Sequence, residues 1–364
     1  MMPHRRINRK FTSLVLVNIL VWICLAWNGL TGKTQNVDKR IKMCIEAVSN
    51  GRHDVTLNRN EKVSLHTFNV EDIHKNTDSG ADNKYDWLTK MEQRMNRRKK
   101  NLREGCAASG LPKTNFKNVI WTQKRRLWFM IVNDQYRLMY AYVSKVGSTN
   151  WKSAFLVLKR KYAKVEDVPG KKAHDPSLKK LSHYSPKEIE YRLKNYKKFL
   201  FVRHPFTRVL SAYRSKLEDK NTSFRKRFGR VIKQRFHPEG RDIHNGANVT
   251  LKDFVTYLCD NRTNSFDGHW EIISNIVFPC QIDYDYIGKL ESADDDSNYI
   301  LQKAKVDHLI YFRNRTNRAT KSNDVTLFEK YYQTISESER QQLYNVYKKD
   351  FVLFGYYPEN VSAI

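Results

Sequence analysis

Two segments of this chain share one build, and together they restrict the fold more than anything else in it. Residues 138–160, LMYAYVSKVGSTNWKSAFLVLKR, open with an apolar and aromatic strand over 138–143. They turn through a short loop and continue from Asn150 as an apolar-periodic helix over 150–159. Residues 198–217 repeat the plan with a short apolar strand over 198–202, a turn from Arg203 to Arg208, and a helix over 209–217. Strands without polar alternation are buried on both faces, as in a parallel sheet covered by helices. Two strand–loop–helix units about 60 residues apart therefore predict an α/β domain, a parallel sheet flanked by helices. Ligands of such sheets bind beyond the carboxyl ends of the strands, where both loops lie.

The chemistry of the loops is that of an anion site. The first runs through Ser144, Lys145, Val146, Gly147, Ser148, Thr149 and Asn150 into a helix start. A helix start offers unpaired N–H groups and partial positive charge. Gly147 permits close backbone approach, and Lys145 adds a point charge. The second loop runs through Arg203, His204, Pro205, Phe206, Thr207, Arg208, Val209, Leu210 and Ser211. Arg203 at a strand end and Ser211 on the next helix suit a second phosphate, held by a guanidinium fork and a hydroxyl. A ligand with separate anionic groups fits both loops. An ATP site of the P-loop kinase kind is disfavoured, because neither loop carries a Gly-Lys-Ser/Thr sequence and no clear magnesium carboxylate is evident. Gly105 to Gly110 imitates a nucleotide loop, but Leu111-Pro112 follows it.

Charge and the N-terminal segment bear on partners and compartment. Lys and Arg number 66 against 38 Asp and Glu, a net charge of +28, which implies contact with a polyanion. Charge alone leaves open nucleic acid, anionic membrane and acidic polysaccharide. Residues 1–10 are basic, and residues 11–27 are uncharged and rich in Leu, Val, Ile and Trp. That pattern favours an uncleaved signal-anchor over a cleaved signal peptide, with a cytosolic tail over 1–10, a transmembrane helix over 11–27 and the remainder luminal. Residues 28–120 are expected to form a luminal stem, with a basic helix over 85–103, and 121–364 the catalytic domain. Sequons at Asn221, Asn248, Asn261, Asn314 and Asn360 permit a luminal location. Cys44, Cys106, Cys259 and Cys280 form an even set compatible with two disulfides, and Cys259–Cys280 is the first expectation, both lying in the folded half. No metal-ligand spacing appears, so no metal is expected.

Taken together, the segments YVSKVGSTNWK, KFLFVRHPFTRVLSAYR, HW…PCQIDYDYIGKLES and ISESERQQLYNVYKKDFVLFGY resemble the Golgi carbohydrate sulfotransferases of the chondroitin/dermatan 4-O-sulfotransferase type. They span residues 138–357 in that family's order. The resemblance implies a P-loop-kinase-like sulfotransferase fold and 3′-phosphoadenosine-5′-phosphosulfate as donor. It implies transfer of a sulfuryl group to a glycosaminoglycan hydroxyl, with the 4-position of N-acetylgalactosamine in chondroitin or dermatan favoured. Residues 144–150 would then form the 5′-phosphosulfate loop and 203–211 the 3′-phosphate site. Lys145 would neutralise the leaving phosphate, Ser148 and Thr149 would hold non-bridging oxygens, and Arg203 with Ser211 would bind the 3′-phosphate.

Attack by a sugar hydroxyl needs a base. His269, in the Gly268-His269-Trp270 segment that matches the family's HW, is the first choice, with Glu291 a carboxylate alternative and His183 and His204 weaker ones. The sequence also departs from the family. Ser144 and Ser148 stand where a Pro and a Cys are common, and Val277 replaces the first Cys of a CxxC ending at Cys280. One family disulfide must therefore be absent or rerouted. The competing reading is a non-enzymatic heparin- or nucleic-acid-binding basic protein. The sulfotransferase reading instead takes a polyanionic glycosaminoglycan as partner, with no nucleic acid and the membrane engaged only through the anchor.

Overall fold

The computed structural model describes residues 54–58, 61–64, 70–110, 116–218, 222–240, 243–312 and 324–358. The chain divides into two units, residues 1–86 and 87–364. In the first, β1 (Asp54–Asn58) and β2 (Glu61–Ser64) pair antiparallel. A long helix, α1 (Val70–Ala108), passes from the first unit into the second. The second unit starts at Trp87. The expected membrane helix over 11–27 lies outside the described residues. Among those described, no helix is long and apolar enough to cross a membrane.

The second unit is built on a four-stranded sheet, β3 (Met130–Asn133), β4 (Leu138–Ala141), β5 (Lys197–Val202) and β6 (Tyr286–Lys289), in that spatial order. β4, β5 and β6 are parallel and β3 runs antiparallel on the edge. All residues of β3 and β4 and the last five of β5 are buried, as their lack of alternation requires. The α2 helix (Ser148–Leu158) returns from β4 and α4 (Pro205–Tyr213) from β5, with α3 (Pro186–Asn195) leading into β5. Ser185 and Glu188 close a reciprocal capping box at the start of α3.

Trp151 carries α2 onto the sheet. Its ring lies 4.4 Å from Phe199 of β5, and Phe199 stacks on Tyr140 of β4 at 4.9 Å. A second core gathers around Trp270, from α4, α5 (Leu251–Cys259) and α7 (Glu337–Phe354), with α6 (Ala293–Lys303) lying between the last two in the chain. Phe206 belongs to this second core and Trp151 to the first. Gly288 has a packing reason: a Cβ there would stand 2.4 Å from the ring of Phe201, its partner across the parallel pair.

Two expectations need correction. The disulfide is Cys106–Cys280, with Cα atoms 5.6 Å apart, and Cys259 is a free thiol. Cys259 ends α5 in the second core, whereas Cys280 belongs with the sheet core, where α1 delivers Cys106. The helix after β5 also begins earlier than residue 209. Pro205, with its preset φ, takes its first turn, and at Arg214 the winding widens into a π-helical stretch, Arg214–Glu218. Sequons Asn248 and Asn261 are exposed, and the other three lie outside the described residues.

Candidate active site

The loop between β4 and α2 makes two left-handed turns. Lys145 has φ 69° and Gly147 has φ 80°. Gly147 caps α2 without any side chain accepting from its first turn, so the N–H groups of Ser148 and Thr149 stay available at the loop. Glycine is required twice at position 147: a side chain would be strained at that φ, and its Cβ would press on Leu290 at 3.1 Å. Ser148 is half-buried and Thr149 exposed, so both hydroxyls border the loop rather than the core.

The second loop holds the first in place. Arg203 donates from Nη1 to the carbonyl of Lys145 at 3.2 Å and from Nε to Thr207 Oγ1 at 3.1 Å. Arg208 donates from Nε to the carbonyl of Ser144 at 3.1 Å and from Nη1 to that of Glu271 at 2.7 Å. Its remaining nitrogen, Nη2, is buried without a hydrogen-bond partner. A guanidinium is the suitable group here, because its planar fork reaches several carbonyls while keeping its charge.

Lys145 is the focus of this charge. Its ammonium donates to Ser215 Oγ at 2.7 Å, across the start of the π-helical stretch. Burial, then the charges of Arg203, Lys216 and Arg208, push its pKa down to about 7. An incoming anion would reverse both effects by supplying the missing opposite charge.

His269 stands in the same field. Its Nδ1 lies 2.5 Å from Asp267 Oδ1, and the same carboxylate oxygen accepts the His269 backbone N–H at 3.0 Å. With Nδ1 bearing the proton toward Asp267, Nε2 presents a lone pair. Burial lowers the imidazole pKa below its ordinary value; Asp267 opposes the shift, while Lys216 and Lys145 add to it. A neutral imidazole at neutral pH suits a proton acceptor.

The structure thus brings together Lys145, the backbone of residues 144–149, Arg203, Arg208 and the His269–Asp267 pair. His204, Pro205, Phe206, Thr207, Val209, Leu210 and Ser211 are all buried in or beside α4. His204 shapes the turn: its Nε2 meets the carbonyl of Tyr357 at 3.0 Å, and burial takes its pKa down to about 4. Glu291 is engaged at both oxygens, by the His204 N–H and the Tyr356 hydroxyl, each at 2.9 Å. His183 is exposed, edge-on to Trp128. Sequence reasoning missed Ser215, Lys216 and Asp267. Asp267 was visible as an Asp two residues before the histidine; Ser215 and Lys216 depend on the π-helical widening, which has no sequence signal.

Residues 128–357 match the family model described as "Sulfotransferase family". The chain belongs to the sulfotransferase family. Among curated relatives, carbohydrate sulfotransferase 11 of Mus musculus is 40% identical over 254 residues, covering 66% of this chain and 72% of that protein. Carbohydrate sulfotransferase 12 of Mus musculus is 32% identical over 333 residues, covering 83% and 75%. Carbohydrate sulfotransferase 8 of Mus musculus is 32% identical over 276 residues, covering 74% and 65%. No solved structure matches this chain significantly.

Sulfotransferases use 3′-phosphoadenosine-5′-phosphosulfate as sulfuryl donor, and the residues of this site fit such a group. Two features carry that fit: the desolvated ammonium of Lys145, whose hydrogen bond goes to a hydroxyl, and the helix start beside it with no side-chain cap.

Proposed function

We propose that this sulfotransferase transfers a sulfuryl group to a glycosaminoglycan, at the 4-position of N-acetylgalactosamine in chondroitin or dermatan. We further place it in the Golgi membrane as a single-pass type II protein with a luminal catalytic domain. The observation that carries the reading is the convergence of Lys145, at an uncapped helix start, with the Asp267-oriented imidazole of His269. The relatives are carbohydrate sulfotransferases by name. The net charge of +28 suits a polyanionic acceptor, and the sequence resemblance favours chondroitin and dermatan.

When bound, the donor supplies a sulfuryl group whose bond to the bridging phosphate oxygen breaks as the acceptor oxygen bonds to sulfur. His269 Nε2 takes the proton of the acceptor hydroxyl, and Asp267 stabilises the imidazolium that results. Lys145 offsets the negative charge gathering on the leaving phosphate oxygen. The N–H groups of Ser148 and Thr149, with their hydroxyls, would hold the non-bridging oxygens, a preorganised role that needs no rearrangement during transfer. Arg203 and Ser211 would hold the 3′-phosphate, and residues 144–150 the 5′-phosphosulfate, in a P-loop-kinase-like arrangement of the two loops. Disaccharide analysis of the product made on desulfated chondroitin tests the assignment. Sulfate on the 4-hydroxyl of N-acetylgalactosamine supports it; sulfate on the 6-hydroxyl or on the uronate refutes the position.

A further inference from the structure

Beside the transfer site lies a second group of cations for which the reaction has no use. Lys152 on α2 and Lys180, which bridges to Ile131 of β3, are 5% and 8% exposed. Neither ammonium has a hydrogen bond or a carboxylate partner among the described residues. Both instead lie against one aromatic ring, that of Tyr142, at 3.9 and 5.2 Å from its centroid. Lys180 also faces Trp128 at 5.8 Å. A ring face attracts a cation but leaves its charge uncancelled. Burial, together with their mutual repulsion in the case of Lys152, draws the pKa of each down to about 8. Two like charges held this way oppose folding unless an anion joins them.

The position of the pair says which anion. Tyr142 is three residues before Lys145 on the same loop. The ring of Phe129 lies 5.3 Å from that of Tyr142, and a Cβ on Gly268, next to His269, would be 3.8 Å from Phe129. His174 on the neighbouring turn feels the charges of Lys152, Lys180, His269 and Lys216 together. The cation pair is therefore adjacent to the acceptor's base and separate from the carbonyls that Arg203 and Arg208 hold. Trp128, 48% exposed, stands at its rim as a flat apolar face of the kind that packs on a pyranose ring.

We propose that Lys152 and Lys180, with Tyr142 between them and Trp128 at the rim, form an acceptor subsite for the carboxylate of the hexuronate next to the sulfated sugar. The proposal deepens the glycosaminoglycan reading above and rests on it. The carboxylate completes the two ammonium groups, and the aromatic face orients the ring, so the subsite selects acidic over neutral acceptors.

The test compares kcat/KM of the full chain on chondroitin, on carboxyl-reduced chondroitin and on a neutral oligosaccharide ending in N-acetylgalactosamine. Lys152→Met and Lys180→Met keep the stem of each side chain. Thermal melting and binding of adenosine 3′,5′-bisphosphate report their folding and donor site. The wild type should prefer chondroitin to its carboxyl-reduced form by about tenfold or more, the worth of a charge-assisted contact. The variants should bring that ratio close to one, mainly through acceptor KM, with donor binding kept. A ratio unchanged in both variants, or no preference in the wild type, overturns the subsite. Transfer only to the neutral oligosaccharide overturns it while leaving sulfuryl transfer standing. Donor binding with no transfer to any glycan overturns the glycosaminoglycan reading and the subsite with it.

Discussion

The ammonium of Lys145 donates to the hydroxyl of Ser215 at 2.7 Å, although the two residues belong to different strand–loop–helix units. The bond ties the anion loop to the π-helical stretch after α4 and gives the charged form of Lys145 an acceptor. Ser215→Ala removes that acceptor, so the pKa of Lys145 should fall further below about 7. The alkaline limb of the kcat/KM profile should then shift to lower pH, which a pH–rate series on the two proteins measures.

The pH profile should be bell-shaped. Transfer needs Lys145 charged, so in the free enzyme the rate falls as pH rises through about 7. It also needs His269 neutral, so the rate falls as pH drops through a pKa held below the ordinary imidazole value by burial. Lys145→Arg should abolish the alkaline limb, because a guanidinium stays charged. His269→Gln should abolish the acid limb and lower kcat by about a hundredfold or more. Asp267→Asn should lower kcat while leaving donor binding intact, since the carboxylate's hydrogen bonds go to the ring and the backbone N–H of His269.

Asp350, on α7, organises the segment that follows His269. Its carboxylate accepts the backbone N–H of Ile273 at 2.7 Å and of Ser274 at 3.1 Å, and burial pushes its pKa up to about 6. Asp350→Ala leaves both donors without an acceptor and should destabilise the protein by about 3 kcal/mol, read by chemical denaturation. A raised carboxyl pKa means that the folded protein keeps a proton the unfolded chain has lost. This group's contribution is therefore fully present below the unfolded carboxylate pKa and is lost as pH rises through about 6.

The sheet interior and the disulfide give two further stability tests. Gly288→Ala drives a methyl group into the Phe201 ring and should destabilise by about 1–3 kcal/mol. Cys106→Ser or Cys280→Ser should each destabilise by about 2–5 kcal/mol, whereas Cys259→Ser should change little. Peptide mapping under non-reducing conditions should recover the Cys106–Cys280 pair.

The two strand–loop–helix units were legible because their apolar runs have no polar alternation and their loops concentrate Gly, Lys, Arg and hydroxyls. The edge strand β3 was not: four residues, Met130–Asn133, carry too little period to distinguish strand from buried turn. The basic helix expected over 85–103 lies within α1, whose earlier start at Val70 has no apolar stripe to mark it, while Leu102 and Cys106 near its end join the core. The disulfide depended on that packing, which residue spacing does not encode. At the site, Lys145, Arg203 and His269 were readable as residue types in specific loops. That Arg203 and Arg208 also brace the first loop through its carbonyls was not, because backbone acceptors leave no mark in a sequence.

The most direct test of the central claim is sulfuryl transfer from labelled 3′-phosphoadenosine-5′-phosphosulfate to chondroitin, measured on the wild type and on Lys145→Ala. The wild type should transfer label to the glycan. Lys145→Ala, still folded by thermal melting, should lose about a hundredfold to a thousandfold in kcat, the usual worth of a group that stabilises developing charge. Equal transfer by the two folded proteins would contradict the account.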